Sequence, residues 1–169
     1  MTREELKAKV DSMCSMIETF GTMGGLEAGA GDNARMELAG FMMYLSASDG
    51  QIVEEEAKAV SEICGIDITT DKMSELIEKF HIYTKSFGNK VPGTFELMVA
   101  ADIVIAESGR EAMLSRNMLE TYAFVGAALI TADSDLDAKE EKDFRKYIKM
   151  LEKYRNSKMK LTNEESVLQ

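Results

Sequence analysis

Residues 45–64 read LSASDGQIVEEEAKAVSEIC, and they decide the fold because they join the end of one helix, a turn and the start of the next helix. Asp49 and Gly50 form a turn signal, since glycine adopts the left-handed conformation easily and aspartate bonds to nearby amides. Three glutamates at positions 54–56 follow, and acidic residues in a first helical turn oppose the positive end of the helix dipole. The stretch therefore predicts a helix-turn-helix unit.

A second copy of this unit lies eighty-four residues later, where residues 129–148 read LITADSDLDAKEEKDFRKYI. The two stretches align position by position, pairing Asp49 with Asp133, Ile52 with Leu136, Glu56 with Glu140, and Val60 with Phe144. Two helical hairpins can bury their apolar faces against each other. The repeat predicts a pseudo-twofold bundle built on a duplicated helix-turn-helix.

Helical periodicity runs through most of the chain, and no window shows the alternation of a strand. The inward-facing residues predicted from this spacing include Met36 and Tyr44 in the second helix, Phe80 in the fourth and Gly126 in the sixth. Gly65 is expected to end the third helix. The sequence thus predicts an all-α fold, a single bundle of about seven helices. One domain is expected over residues 1–156, with a mobile tail over 157–169.

Charge and hydropathy exclude several classes of partner. The formal net charge of -10 opposes tight binding to nucleic acid and to anionic membrane surfaces. The most hydrophobic segment, residues 121–132, is too short to cross a bilayer, and the first residues lack the apolar run of a signal peptide. We therefore expect a cytoplasmic protein with no membrane insertion. Cys14 and Cys64 form no CxxC pair, so reduced, buried thiols are expected.

One glycine-rich stretch has a formal likeness to a nucleotide-binding fingerprint. Residues 29–34, GAGDNA, match the Gly-x-Gly-x-x-Ala pattern, but no strand precedes them and Asp32 lies where phosphate needs positive potential. A flexible connector over residues 21–32 is the preferred interpretation, with no organic cofactor. Asp102, inside the apolar run of the fifth predicted helix, is expected to bond to a helix end or a tyrosine, because an unpartnered buried carboxylate is costly.

The acidic turns allow two interpretations. In the first they are structural, with Asp137 capping a helix and Glu140 three residues later completing a capping box. In the second they bind a cation, because Asp133, Asp135 and Asp137 occupy the first, third and fifth positions of a calcium loop. Ala138 and Phe144 then break the EF-hand pattern. A shallow oxygen site for Ca²⁺ or Mg²⁺, extended by Glu141, remains open.

The turn motifs resemble those of the TerB-like family of tellurite-resistance-associated helical domains. Residues 48–50, Ile52 and Glu56 carry the likeness in the first copy, and Ala132, Asp133, Leu136 and Glu140 carry it in the second. Ser48 replaces an alanine, and Ser134 stands in place of the second glycine. The resemblance implies an all-α bundle linked to metal stress and to membrane-associated, phage or toxin systems. It also implies that the acidic turn residues are ligands of a divalent cation.

The leading functional hypothesis is a non-catalytic protein-interaction or adaptor module with a protein partner, in a stress-response or accessory-secretion context. The methionines fall mostly at core spacing, and adaptable core packing is their preferred interpretation. The alternative for these residues is a plastic groove for a partner helix, sought near Met16, Met23 and Met42. The alternative is a divalent-cation sensor. Its candidate metal ligands are Asp49, Glu56, Asp133, Asp135, Asp137 and Glu140. A hydrolase is a third hypothesis, and an enzyme is not expected because no nucleophile and base can be tied together.

Overall fold

Eight helices follow one another along the part of the chain that the structure, a computed structural model, describes, namely residues 1–132 and 137–168. Their bounds are α1 (Arg3–Met23), α2 (Ala30–Ser46), α3 (Glu54–Cys64), α4 (Thr70–Lys79), α5 (Lys85–Gly88), α6 (Gly93–Glu107), α7 (Leu114–Ile130) and α8 (Ala138–Met159). Seven of them have ten or more residues, and α5 is a single turn. Within these described ranges no strand occurs, which confirms the predicted all-α bundle of about seven helices.

Helix ends follow local sequence signals. The Thr2 hydroxyl accepts a hydrogen bond from the Glu5 N–H at 3.1 Å, and the Glu5 carboxylate accepts one from the Thr2 N–H at 2.7 Å. This reciprocal pair is a capping box that starts α1. Gly65 ends α3 in the left-handed conformation with φ 69°, which confirms the predicted stop.

The centre of the bundle is formed by α2 and α7, around which α1, α3, α6 and α8 pack. Phe41 of α2 lies between two tyrosines, with ring centroids 5.1 Å from Tyr122 of α7 and 4.7 Å from Tyr147 of α8. All three rings are buried. Tilted aromatic pairs add about 0.5–1.5 kcal/mol each beyond the area they bury, so this cluster joins three of the four helices that carry the predicted repeat, α2, α7 and α8.

Gly126 allows α7 and α8 to approach closely. A Cβ atom at this position would collide with the ring of Phe144 and would lie 3.1 Å from Cζ of Phe41. The predicted inward position of Gly126 is therefore confirmed, since Val125 and Gly126 are both buried. Any side chain here would force the two helices apart.

Helix bounds agree with the register of the sequence repeat. The equivalent ends lie eighty-four positions apart: Ala30 and Leu114, Ser46 and Ile130, Glu54 and Ala138. The connections occupy 47–53 in the first unit and 131–137 in the second, of which 133–136 lie outside the described residues. The duplication itself stays a prediction, now with matching helix lengths in α2 and α7.

Two side chains differ from their predicted positions. Met36 and Phe80 are exposed rather than inward. Because α2 is central and apolar on several sides, its spacing did not select one face, and the buried stripe passes through Leu38 and Phe41 instead of Met36. Phe80 is the C-cap of α4, where the chain leaves the helix, and Lys79 lies over its ring at 5.6 Å. Met42 is fully buried, as the preferred interpretation of core packing predicts and the alternative of a groove does not.

The amino end of α2 is filled by a carboxylate from α1. Glu18 accepts hydrogen bonds from the N–H of Gly29 at 3.1 Å and from the N–H of Gly31 at 2.8 Å. These bonds lower the pKa of Glu18. The helix begins at Ala30, inside the predicted connector of residues 21–32, because Glu18 satisfies amides that the glycine-rich sequence leaves uncapped.

Asp102 joins α6 to the start of α7. Its carboxylate accepts hydrogen bonds from the N–H of Leu114 at 3.0 Å and of Ser115 at 2.8 Å, and the Ser115 hydroxyl also donates to it. The predicted bond between Asp102 and a helix end is therefore confirmed. Although α6 is strongly apolar, none of the described helices combines the length and hydropathy needed to span a bilayer.

Candidate functional site

The first acidic turn connects α2 to α3. Gly50 is left-handed with φ 81°, and the Asp49 carboxylate accepts a hydrogen bond from the Gln51 N–H at 2.8 Å. The Glu56 carboxylate accepts one from the Val53 N–H at 3.0 Å. The turn chemistry predicted for Asp49 and Gly50 is thus confirmed, and Glu56 folds back over the start of its own helix.

The second acidic turn starts α8. The Asp137 carboxylate accepts hydrogen bonds from the N–H groups of Lys139 at 2.8 Å and Glu140 at 3.1 Å. Asp137 is therefore the predicted N-cap of this helix. Glu140, one turn into α8, points toward the other acidic turn, because its carboxyl group hydrogen-bonds with that of Glu56.

The Glu56–Glu140 pair is buried where the two units meet, and each residue is only 4% exposed. The pKa of Glu140 is raised to about 8, first by burial, then by the hydrogen bond and charge of Glu56, and then by the charges of Asp49 and Asp137. Two adjacent carboxylates in a poorly solvated place cannot both ionise cheaply. We call this set, Asp49, Glu56, Asp137 and Glu140, the acidic junction.

The acidic junction contains four of the six residues predicted as metal ligands. The other two, Asp133 and Asp135, lie outside the described residues. Within residues 1–132 and 137–168, no group of three His, Cys, Asp or Glu side chains is arranged to hold a metal ion. The described part of the junction is therefore a carboxyl pair with two flanking carboxylates, and it can hold or release a proton.

A second contact beside the acidic junction was missed by sequence reasoning. The Ser48 hydroxyl donates to the Asp143 carboxylate at 2.7 Å, and the Tyr83 hydroxyl donates to the same carboxylate at 3.3 Å. Ser48 is buried, so this bond fixes the first turn against α8. The only sequence signal was that Asp143 lies one helical turn after Glu140, on the same face of α8.

A groove between α7 and α8 is the other candidate site. We define this α7–α8 groove by Phe124, Ala127 and Ile130 on α7, Phe144 on α8, and residues 165–168 of the C-terminal tail. It encloses a cavity of about 590 Å³, within the size range of small-ligand pockets. Phe124 is 44% exposed, so the tail covers the groove incompletely.

Basic side chains border the groove on α8. Lys142, Arg145, Lys146 and Lys149 line an adjoining hollow, and Arg145 lines both spaces. We call these four residues the basic ridge. The described lining of the α7–α8 groove includes no methionine. The expectation of a groove near Met16, Met23 and Met42 therefore does not describe this surface, and Met42 in particular belongs to the core.

The C-terminal tail reaches the groove through a charged contact. Glu164 forms ion pairs with Arg155 and, at 3.2 Å, with Arg116, while the Arg116 guanidinium donates to the Glu165 carbonyl at 2.7 Å. Val167 and Leu168 then pack against the core. The predicted tail boundary at residue 157 differs from the end of α8 at Met159.

Comparison with family models, curated proteins and solved structures found no match for this chain.

Proposed function

We propose that this chain is a non-catalytic protein-interaction module whose binding surface is the α7–α8 groove. The observation that carries the proposal is the arrangement of an open apolar floor, including the half-exposed Phe124, directly beside the basic ridge. An apolar anchor site next to charged side chains is the usual composition of a peptide-binding groove.

Charge supports the choice of this surface. The whole chain carries a formal net charge of -10, yet four basic residues of α8 are gathered along one side of the groove. Such a local exception to the overall charge can orient a partner with acidic groups. The resemblance of the acidic turns to the TerB-like family adds the context of the proposal, a stress-response or accessory-secretion system.

Site-specific photo-crosslinking tests this function. A photoreactive phenylalanine analogue is placed at position 124 in the full chain, and at position 104 of a matched control, because Val104 is an exposed apolar residue of α6 at 66% exposure. Irradiation in the native host should give one predominant protein adduct from position 124. The adduct should weaken in a Lys142→Gln plus Lys146→Gln background.

Equal adducts from positions 124 and 104 would show unspecific apolar contact. No adduct from position 124, with normal expression and a normal circular dichroism spectrum, would remove the α7–α8 groove as a partner surface.

We propose a divalent-cation sensor as the second candidate function, favoured by the acidic junction. A Ca²⁺ or Mg²⁺ ion prefers carboxylate oxygens, and the Glu56–Glu140 pair concentrates negative charge that a proton otherwise compensates. Binding of the ion would release that proton, so affinity should rise with pH. Asp133 and Asp135 are the further ligands proposed from the sequence.

Thermal unfolding in millimolar Ca²⁺, Mg²⁺ or Zn²⁺ tests the sensor. A cation that binds only the folded chain must raise the melting temperature, and more at pH 8 than at pH 6. Glu140→Gln, and separately Asp133→Asn plus Asp135→Asn, should remove the increase. A melting temperature that no cation changes would eliminate this candidate.

A further inference from the structure

The C-terminal tail turns back along α8 instead of leaving the bundle. Lys160 is left-handed with φ 55°, and the N–H of Leu161 donates to the Asn156 carbonyl at 2.9 Å, which closes the helix in a Schellman-type turn. Farther along, the Ser166 hydroxyl donates to the Glu152 carboxylate at 2.8 Å. Contacts that move backward along α8 show that the tail runs antiparallel to this helix.

A buried guanidinium sets the chemistry of the tail contact. Arg155 is only 3% exposed, and its other described partner is the Ser115 hydroxyl at 2.7 Å. Asp102 reaches Arg155 only through that hydroxyl. Glu164 therefore supplies the carboxylate that pairs directly with a buried cation. Removing one partner of a buried pair is strongly unfavourable, so any segment that replaces the tail must bring a carboxylate of its own.

Two aliphatic residues complete the contact. Val167 and Leu168 are half-buried, lie against the core and line the cavity of about 590 Å³ together with Phe124 and Phe144. They follow Glu164 by three and four positions. The groove thus recognises an acidic residue at Arg155 and Arg116 and an aliphatic pair on its floor, and the space left beside the tail can accept a bulkier pair.

We propose that the α7–α8 groove binds an extended acidic peptide of a partner protein with the pattern acid-x-x-aliphatic-aliphatic, and that the chain's own tail occupies the site until this peptide displaces it. The inference rests on the proposed interaction function and identifies the partner segment. The tail supplies the pattern, and the basic ridge favours further acidic residues in the peptide.

A labelled peptide with the sequence of residues 160–169, KLTNEESVLQ, serves as the probe in fluorescence anisotropy. Two full chains are compared. In the Val167→Ser plus Leu168→Ser variant the tail binds its own groove more weakly, whereas in the unchanged chain the tail competes fully with the probe. Because a tethered competitor acts at high effective concentration, the variant should bind the probe at least about tenfold more tightly. Equal affinity for the two chains, or no binding to either, would overturn the proposal.

Matched changes test where and how the probe binds. In the tail variant, Phe124→Ser should weaken binding at least about tenfold, while Val104→Ser, at an exposed position of α6 outside the groove lining, should not. A probe with both glutamates replaced by glutamine, KLTNQQSVLQ, should lose affinity to a similar degree. Binding that ignores the glutamates, or that is equally weakened by Val104→Ser, would contradict the assigned site.

Hydrogen exchange on the unchanged chain gives a readout that needs no variant to fold. Excess unlabelled probe should speed the exchange of backbone amides in residues 161–168. It should not slow the exchange of any backbone amide in α4. Unaltered exchange there would oppose displacement. The chain could instead dimerise as its concentration rises, with a dimer that does not form in the Val167→Ser plus Leu168→Ser variant. That result would show that the groove binds a second copy of the chain, and it would refute the proposal of a partner peptide.

The two proposals can fail separately. A probe that does not bind, together with a specific adduct from position 124, would refute the peptide pattern and leave the interaction function in place. Loss of both signals would refute the two together.

Discussion

Glu56 and Glu140 lie eighty-four residues apart in the chain, and their buried carboxyl groups hydrogen-bond to each other. The pair links the first turn of α3 to the first turn of α8. Since burial and the neighbouring carboxylates raise the pKa of Glu140 to about 8, the junction is most favourable when the pair holds a proton.

Glu140→Gln is expected to reduce the dependence of stability on pH. The folded chain keeps the Glu140 proton up to about pH 8, whereas the unfolded chain releases it near the ordinary pKa of 4.5. The stabilisation is fully present below 4.5 and is lost as pH rises through 8. Its slope is at most about 1.4 kcal/mol per pH unit. Urea unfolding at three pH values between 5 and 8 measures this slope.

Glu141→Gln is the matched control, because it removes a carboxylate from the same turn of α8 without touching the pair. Its slope should equal that of the unchanged chain. A Glu140→Gln variant that loses stability with pH as steeply as the unchanged chain would refute the shared proton.

Gly126→Ala should destabilise the bundle by about 1–3 kcal/mol, the usual range for overpacking. The added methyl group collides with the ring of Phe144, and the ring cannot move freely because it is buried. Gly93→Ala is the control, since its Cβ would lie an ordinary 3.5 Å from Glu37. Urea unfolding followed by helical circular dichroism should separate the two variants, and equal midpoints would contradict the close approach of α7 and α8.

Asp102→Ala should cost about 2–3 kcal/mol, because it leaves buried N–H groups at the start of α7 without their acceptor. Asp102→Asn keeps one acceptor oxygen and should cost less. The exposed Asp67 provides a control, Asp67→Ala, with a change near zero. Thermal and urea unfolding measure all three. If Asp102→Ala were as stable as the control, the proposed cap of α7 would be wrong.

Both thiols should react slowly in the folded chain. Cys14 and Cys64 are free and buried, and burial raises the pKa of Cys64 to about 12. The thiolate is the reactive form, so at pH 8 a thiol reagent should modify neither residue until denaturant is added. Two thiols per chain should then react rapidly. Fast reaction without denaturant would show that α1 or α3 opens easily.

The turn and cap of the acidic junction could be predicted from the sequence, because they depend on local signals that occur twice. The turn at Asp49 and Gly50, the cap at Asp137 and the register of the repeat could each be read from spacing, and the helix bounds agree with that register. What spacing could not supply was the bond between Glu56 and Glu140. Contact between distant turns depends on how the two hairpins pack in three dimensions.

Other features depend on tertiary geometry that periodicity does not contain. Met36 was misplaced because a central helix offers more than one apolar face, and Phe80 because a helix end exposes a residue that the stripe would bury. The α7–α8 groove depends on the returning tail, whose direction is set by the left-handed turn at Lys160. A lysine is not a usual signal for such a turn, since glycine is the residue that adopts it without strain.

The occupied amino end of α2 has a consequence for ligand chemistry. Glu18 already accepts hydrogen bonds from the N–H groups of Gly29 and Gly31, so a phosphorylated metabolite at this helix end would meet the charge of Glu18 in addition to that of Asp32. Exchanging Glu18 for alanine would leave two N–H groups, those of Gly29 and Gly31, without this acceptor. Asp32 would still carry its negative charge in the first turn of α2, so the connector would remain a structural link between α1 and α2.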